Sequence, residues 1–132
     1  MERKRCPGRG FFRTAFEKLR VWQEARGWIR GVFDLFKKFP AEEKFGLSSQ
    51  FTRAAVSVAA NLAEGSGRIS AKDQAHFSHL AYSSLMESAC LLLLAGDQGW
   101  VGVDKLGQER QKIESLSNQI NSLRKAQLSR SR

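Results

Sequence analysis

The chain has 132 residues, of which 42% are hydrophobic and 27% charged, and its formal net charge is +9. This length predicts one domain with its own core. Because nine Phe and three Trp can contribute to such a core, the composition excludes a chain that is disordered over its whole length. Two Cys, neither in a Cys-x-x-Cys pair, exclude a disulfide scaffold. The longest apolar run, residues 89–95, is too short to cross a membrane, and no secretory signal is recognisable. We therefore expect a soluble cytoplasmic protein.

Hydrophobic periodicity predicts four helices and no strand. The first helix covers residues 17–38, opens with a Thr14–Glu17 capping box and ends before Pro40. The second covers residues 45–64 and is ended by Gly65-Ser66-Gly67, since a glycine there supplies left-handed backbone. Besides its large apolar face, the second helix has a face of small residues: Thr52, Val56, Ala59, Ala60 and Ala63.

The third helix covers residues 71–96, with Ser70 as its cap and Asp73 in its first turn. The fourth covers residues 104–127 and is followed by a basic tail, residues 128–132. We place a second basic tail at residues 1–15 and the helical domain at residues 16–127. The fourth helix has a single apolar seam: Leu106, Ile113, Leu116, Ile120 and Leu123.

Four helices with short connections predict an all-α, antiparallel up-and-down four-helix bundle. The second and third helices are apolar over more surface than one chain can cover. Self-association is the simplest way to bury that surface, and small residues permit close helix approach. The alternative is a bundle that its own fourth helix wraps tightly.

No residue pattern indicates catalysis or a cofactor. His76 and His79 have no nearby pair of carboxylates, and neither Glu64 nor Glu87 is followed by a His three residues on, so we expect no metal site. The chain lacks a phosphate-binding glycine loop and a nucleophile elbow. Cys90 lies in a Leu run, where a thiol is usually inert packing.

A narrow stripe of polar side chains runs along one side of the second helix. Arg53 is costly to bury alone, and Glu64 lies about 16 Å further along the helix, which leaves Glu87 as its candidate partner. The stripe is either a network that fixes helix register or the lining of a groove or channel for an anionic ligand. Arg68, beside the glycine turn, is either a phosphate contact or a solvated side chain. The stripe comprises Gln50, Arg53, Ser57, Asn61 and Glu64 on the second helix, and Glu87 on the third helix is grouped with it.

The charge is concentrated at the two ends of the chain. Residues 1–20 hold seven basic and two acidic side chains, and residues 110–132 hold six basic and one acidic side chain. Residues 21–109, between them, hold nine basic and ten acidic side chains and are nearly neutral. Such ends either solvate the protein or act as arms that bind nucleic acid. Besides Arg53 and Arg68, the candidate contacts are Arg3, Lys4, Arg5, Arg9, Arg13, Arg124 and Lys125.

Several strings of the chain resemble the bacterial four helix bundle protein family, some of whose members are encoded in intervening sequences of 23S ribosomal RNA genes. The strings are FEKLRVWQEA at 16–25, FPAEEKFGL at 39–47 and above all RAAVSVAANLAEGSGR at 53–68, together with Phe77, Leu80-Ala81, Ser84-Leu85 and Glu87. The resemblance covers roughly residues 16–100 and fades in the fourth helix.

The resemblance implies a homopentameric ring with no known enzymatic activity and no cofactor. A distant relative, the accessory protein of diversity-generating retroelements, is a basic pentamer that works with a reverse transcriptase and nucleic acid. We therefore expect a non-enzymatic homo-oligomer that binds nucleic acid through phosphate contacts, with RNA favoured over DNA as the ligand. The alternative is a scaffold or accessory subunit, for example of a reverse transcriptase or ribosome-associated complex, with weak non-specific nucleic-acid binding.

Overall fold

The computed structural model describes residues 14–43 and 46–131, which fold into a helical bundle without strands. This confirms the predicted all-helical fold. Short 3-10 turns at Phe16–Lys18 and Ala41–Glu43 precede the first two long helices. The long helices are α1, Arg20–Phe36; α2, Leu47–Ser66; α3, Ala71–Asp97; and α4, Val103–Arg130.

Contacts between successive helices show that they run antiparallel. Early residues of α2 meet late residues of α3, and the Gln50 and Glu87 side chains are hydrogen-bonded. Early residues of α3 meet the end of α4, where Ser78 bonds to Gln127. The helix α3 packs on both α2 and α4, while α1 closes the bundle against the same two helices.

The core is built from one face of each helix, as the periodicity predicted. In α2, Phe51, Ala55, Val58 and Leu62 are all at most 2% exposed. Full burial of such a Phe, Val or Leu side chain contributes about 1.5–3 kcal/mol. In α4, the predicted seam residues Ile113, Leu116 and Ile120 are buried, and Leu106 and Leu123 pack against the same cluster.

The first and last helices differ from their predicted bounds. The Thr14 amide donates to Glu17 Oε1 at 2.8 Å, as the predicted capping box requires. This box precedes a short 3-10 turn, however, and the backbone at Leu19 is extended, so α1 begins only at Arg20. At the other end of the chain, the buried Gln127 side chain accepts a 2.7 Å bond from the Ser78 hydroxyl. That bond anchors the last turns of α4, so residues 128–130 are helical rather than a tail.

The predicted left-handed end of α2 is wrong. The helix continues through Gly65 to Ser66, and Gly67 is right-handed, with φ −90° and ψ −3°. Gly65 serves a different purpose, because a Cβ there would lie 2.9 Å from the Phe77 Cβ and 3.3 Å from the Gln74 carbonyl oxygen. Its missing side chain lets α2 and α3 approach closely.

Of the helices in the described part of the chain, α3 alone is long and apolar enough to cross a membrane. The core helix of a bundle has the same length and composition, and α3 packs against both α2 and α4. It also carries Lys72, Asp73, Glu87 and Asp97. Its apolar character therefore fits a central helix of the bundle.

Candidate nucleic-acid interface

The antiparallel topology brings the start of α1, the α2–α3 turn and the end of α4 to one end of the bundle. Gln119 of α4 donates to Glu24 of α1 at 3.0 Å, and Arg130 donates to Gln74 of α3 at 3.2 Å. We call this the terminal end and define it as residues 14–20, 64–73 and 123–131. The opposite end comprises residues 33–43, 46–50 and 94–106.

The two ends of the bundle differ in charge. The terminal end holds seven basic and three acidic side chains, whereas the described residues of the opposite end hold three basic and five acidic ones. Residues 1–13, with five basic side chains and one acidic one, are joined to the terminal end at Thr14. The candidate contacts within that segment, Arg3, Lys4, Arg5, Arg9 and Arg13, lie outside the described residues.

Arg68 lies at the terminal end and is not a free solvated side chain. Its guanidinium is 2.7 Å from Glu64 Oε2 and 4.6 Å from the centre of the Phe77 ring. The arginine and glutamate side chains are 42% and 52% exposed, and an ion pair that exposed is worth at most about 1 kcal/mol. A phosphate can therefore compete with Glu64 for this guanidinium.

The two candidates near the end of α4 lie in different surroundings. Lys125 is exposed, so its ammonium is available to a ligand. Arg124 is half-buried, and its Nε is buried without a hydrogen-bond partner. Both cations lie near the carboxyl end of α4, where the helix dipole favours positive charge.

The polar stripe of α2 follows the seam with α3. The Ser57 and Ser84 hydroxyls are 2.8 Å apart, Asn61 Nδ2 donates to the Ser57 carbonyl at 2.9 Å, and Gln50 donates to Glu87 at 3.4 Å. These bonds join or support the two facing helices. The arrangement supports the interpretation of the stripe as a network that fixes helix register.

The predicted pairing of Arg53 with Glu87 is wrong. Arg53 lies about 40° further around α2 than Ser57, on the side away from α3, and is exposed. Its Nη1 donates to the Ser49 hydroxyl at 3.2 Å, while Glu87 accepts from Gln50. Glu64 pairs with Arg68, as their spacing of four residues permits.

Apolar side chains remain exposed on α2 and α3, as the sequence predicted for a single chain. On α2, Val56 is 44% exposed. On α3, Met86, Leu93 and Leu94 are 38%, 39% and 46% exposed. Cys90 on the same helix is also exposed, so the prediction that it packs inertly in the core is wrong.

Two buried polar residues of α4 were missed by the sequence reasoning. Glu109 is 1% exposed and forms ion pairs with Lys105 at 3.4 Å and Lys112 at 3.2 Å. Gln127 is 5% exposed. Both continue the alternating three- and four-residue spacing of the apolar seam, so their register already marked them as inward-facing.

No cluster of three or more His, Cys, Asp or Glu side chains occurs in the described ranges 14–43 and 46–131. His76 and His79 are both exposed on α3. The chemistry that the described surface does offer is cationic, at the terminal end.

A family model described as 23S rRNA-intervening sequence protein matches residues 17–122. The chain belongs to this family. The match extends into α4, further than the resemblance at residues 16–100 reached. No curated protein matches the chain.

A solved structure with the same fold comes from Bacteroides thetaiotaomicron and is described as a protein of unknown function from the S23 ribosomal protein family. It is 22% identical, covers 85% of this chain and 98% of its own, and superposes with a TM-score of 0.58. At that identity it shows the fold alone. Neither the family's description nor that of the neighbour names an enzymatic activity.

Proposed function

We propose that this family member is a non-enzymatic, homo-oligomeric cytoplasmic protein that binds RNA through phosphate contacts at its terminal end. The observation that carries the proposal is that Thr14, to which the basic residues 1–13 are joined, and the basic last turns of α4 lie at the same end of the bundle. The family's description names the 23S rRNA intervening sequence, and we take RNA rather than DNA as the ligand.

Electrostatics make the terminal end suited to phosphate. It holds seven cations and three carboxylates, and residues 1–13, which are joined to it at Thr14, carry five further cations and one carboxylate in their sequence. Lys72 and Lys125 are exposed and form no ion pair within the described part of the chain, and Arg68 need only exchange Glu64 for a phosphate. Binding of this kind releases counterions and has little sequence preference.

Oligomerisation strengthens such binding by repeating the terminal end. We propose that the exposed apolar side chains of α2 and α3, including Val56, Met86 and Leu94, are buried between copies of the chain. The resemblance of the sequence implies five copies in a ring. Repeated weak contacts on one RNA raise the overall affinity without any new contact.

The test compares two variants from which the same charge is removed. Lys72→Gln with Lys125→Gln neutralises the terminal end, and Lys38→Gln with Arg110→Gln neutralises two exposed cations nearer the opposite end. Fluorescence anisotropy with a labelled structured RNA at low salt measures both affinities. We expect about tenfold weaker binding for the first variant and little change for the second. Equal weakening by both variants would contradict the location of the interface.

The exposed apolar side chains of α3 also favour a second function, a scaffold or accessory subunit for another protein. Purification from cells after nuclease treatment separates the two functions. Loss of all partners on nuclease digestion supports RNA binding. One protein partner that persists, together with RNA affinity that is unchanged by charge removal, favours the scaffold.

A further inference from the structure

A cavity of about 630 Å³ lies near the opposite end of the bundle, between the end of α1 and the start of α2. Its volume is within the range of about 300–1,000 Å³ that small-molecule sites have. The cavity is open to solvent on one side. It lies away from the terminal end, so it is separate from the interface proposed above.

One wall of the cavity is aromatic and apolar. Phe33, Phe36, Phe39 and Pro40 line it. Phe36 is held edge-to-face by Phe51, with ring centres 4.6 Å apart, whereas Phe33 is 42% exposed. An exposed phenyl ring on a helix, in a cavity that the fixed Phe36 ring also lines, is suited to stacking against a flat aromatic ligand.

The facing wall is polar and positively charged. It contains Ser49, Thr52 and Arg53 of α2, and Lys37 completes the rim from the α1 side. Arg53 Nη1 is positioned by the Ser49 hydroxyl at 3.2 Å, which leaves its other N–H groups without a partner in the described chain. Among the residues that the structure describes, Lys37 pairs with Asp34 alone, at 3.4 Å, and both side chains are more than three-quarters exposed.

An aromatic wall facing two cations and hydroxyl groups matches a ligand that has a flat ring joined to an anion. We propose that this cavity binds a nucleoside phosphate. The base stacks on Phe33, and the phosphate is bound by Arg53 and Lys37. A purely apolar occupant would engage neither cation, and a simple anion would leave the aromatic wall uncovered.

The nucleoside phosphate has two sources: a free nucleotide, or an unpaired nucleotide of a bound RNA. Both present the same chemistry, because unpaired bases are available for stacking on aromatic side chains. The second source rests on the proposed RNA-binding function, whereas the first does not.

Calorimetric titration of the full-length protein tests the free source with AMP, adenosine and inorganic phosphate. We expect AMP to bind at least about tenfold more tightly than either fragment, because only AMP engages both walls. The RNA source is tested by anisotropy with two hairpins that differ by one unpaired adenosine. Preference for the hairpin with the unpaired adenosine supports that source.

Two substitutions connect either result to the cavity. Phe33→Leu keeps apolar bulk but removes the ring, and Arg53→Gln removes the cation; each should weaken binding by about tenfold. Phe33→Tyr keeps the ring and should bind as the native protein does. The matched control is Arg30→Gln, which removes an exposed α1 cation outside the cavity.

The proposal is overturned if AMP binds no better than phosphate and the two hairpins bind equally. It is also overturned if Phe33→Leu and Arg53→Gln, shown to be folded by circular dichroism, bind as well as Arg30→Gln. Failure of the proposed RNA-binding function gives a different result, since binding of the hairpin without the additional unpaired adenosine is then unaffected by removal of the Lys72 and Lys125 charges.

Discussion

A single residue, Gly65, sets how closely α2 and α3 approach each other. A Cβ at this position meets the Phe77 Cβ at 2.9 Å, closer than such atoms pack, and the Gln74 carbonyl oxygen at 3.3 Å. Neither neighbour is the flexible end of a side chain. The backbone of one helix would have to move to admit even a methyl group.

Gly65→Ala is therefore expected to destabilise the protein by about 1–2 kcal/mol, since overpacking outweighs the gain in helix propensity. Thermal unfolding at fixed protein concentration measures this change. The control is Gly27→Ala in α1, where a Cβ has nothing within 4 Å, so the higher helix propensity of Ala should stabilise by about 1 kcal/mol. A Gly65→Ala protein as stable as the native one would refute the close approach.

Single residues also mark where sequence reasoning succeeded and failed. The Ser70 cap is confirmed, since its hydroxyl accepts from the Asp73 amide at 3.0 Å. Arg53 was assigned to the wrong partner because the distance between two helices is not encoded in the spacing along one of them. Glu109 was missed because a carboxylate was not expected on an apolar seam, although its register was visible.

At the scale of elements, the helix faces were predictable and the helix ends were not. The periodicity of the core is local, so the buried faces of α2 and α4 follow from the sequence. The ends depend on contacts with other helices. The start of α1 is moved by the turn at Phe16–Lys18, and the end of α4 is held by Ser78 of α3.

The Ser78–Gln127 bond is expected to hold the last turns of α4 in place. Gln127→Ala leaves a buried hydroxyl without its partner and should cost about 1–3 kcal/mol. We also expect faster amide hydrogen exchange at residues 124–130. Gln111→Ala, at an exposed position of the same helix, is the control and should leave exchange at the end of α4 unchanged. Slow exchange in the Gln127→Ala protein would show that other contacts hold this end.

At the scale of the whole molecule, the function depends on what the chain does with its exposed apolar surface. Only the composition of that surface was visible in the sequence. The site was harder to predict, because Lys72 is distant in sequence from both charged chain ends. The antiparallel topology alone brings it to the same end of the bundle as Lys125 and Thr14, to which residues 1–13 are joined.

Light scattering on a sizing column is expected to give a five-subunit particle of the 14.9 kDa chain. Leu94→Glu places a charge on the exposed apolar part of α3 and should reduce the mass toward that of one subunit. Ile69→Glu is the matched control, because Ile69 is fully exposed in the α2–α3 turn and should leave the mass unchanged. A native protein that elutes with the mass of a single chain would contradict the assembly.

The salt dependence of RNA affinity is the sharpest test of phosphate binding at the terminal end. The affinity of the native protein for a structured RNA is measured over a range of salt concentrations, beside the Lys72→Gln/Lys125→Gln and Lys38→Gln/Arg110→Gln proteins. We predict a steep linear fall of log affinity with log salt, and a slope that is shallower by at least about 1 only when the terminal-end lysines are removed. An affinity that does not change with salt, or slopes that are equal in all three proteins, would contradict phosphate binding at the terminal end.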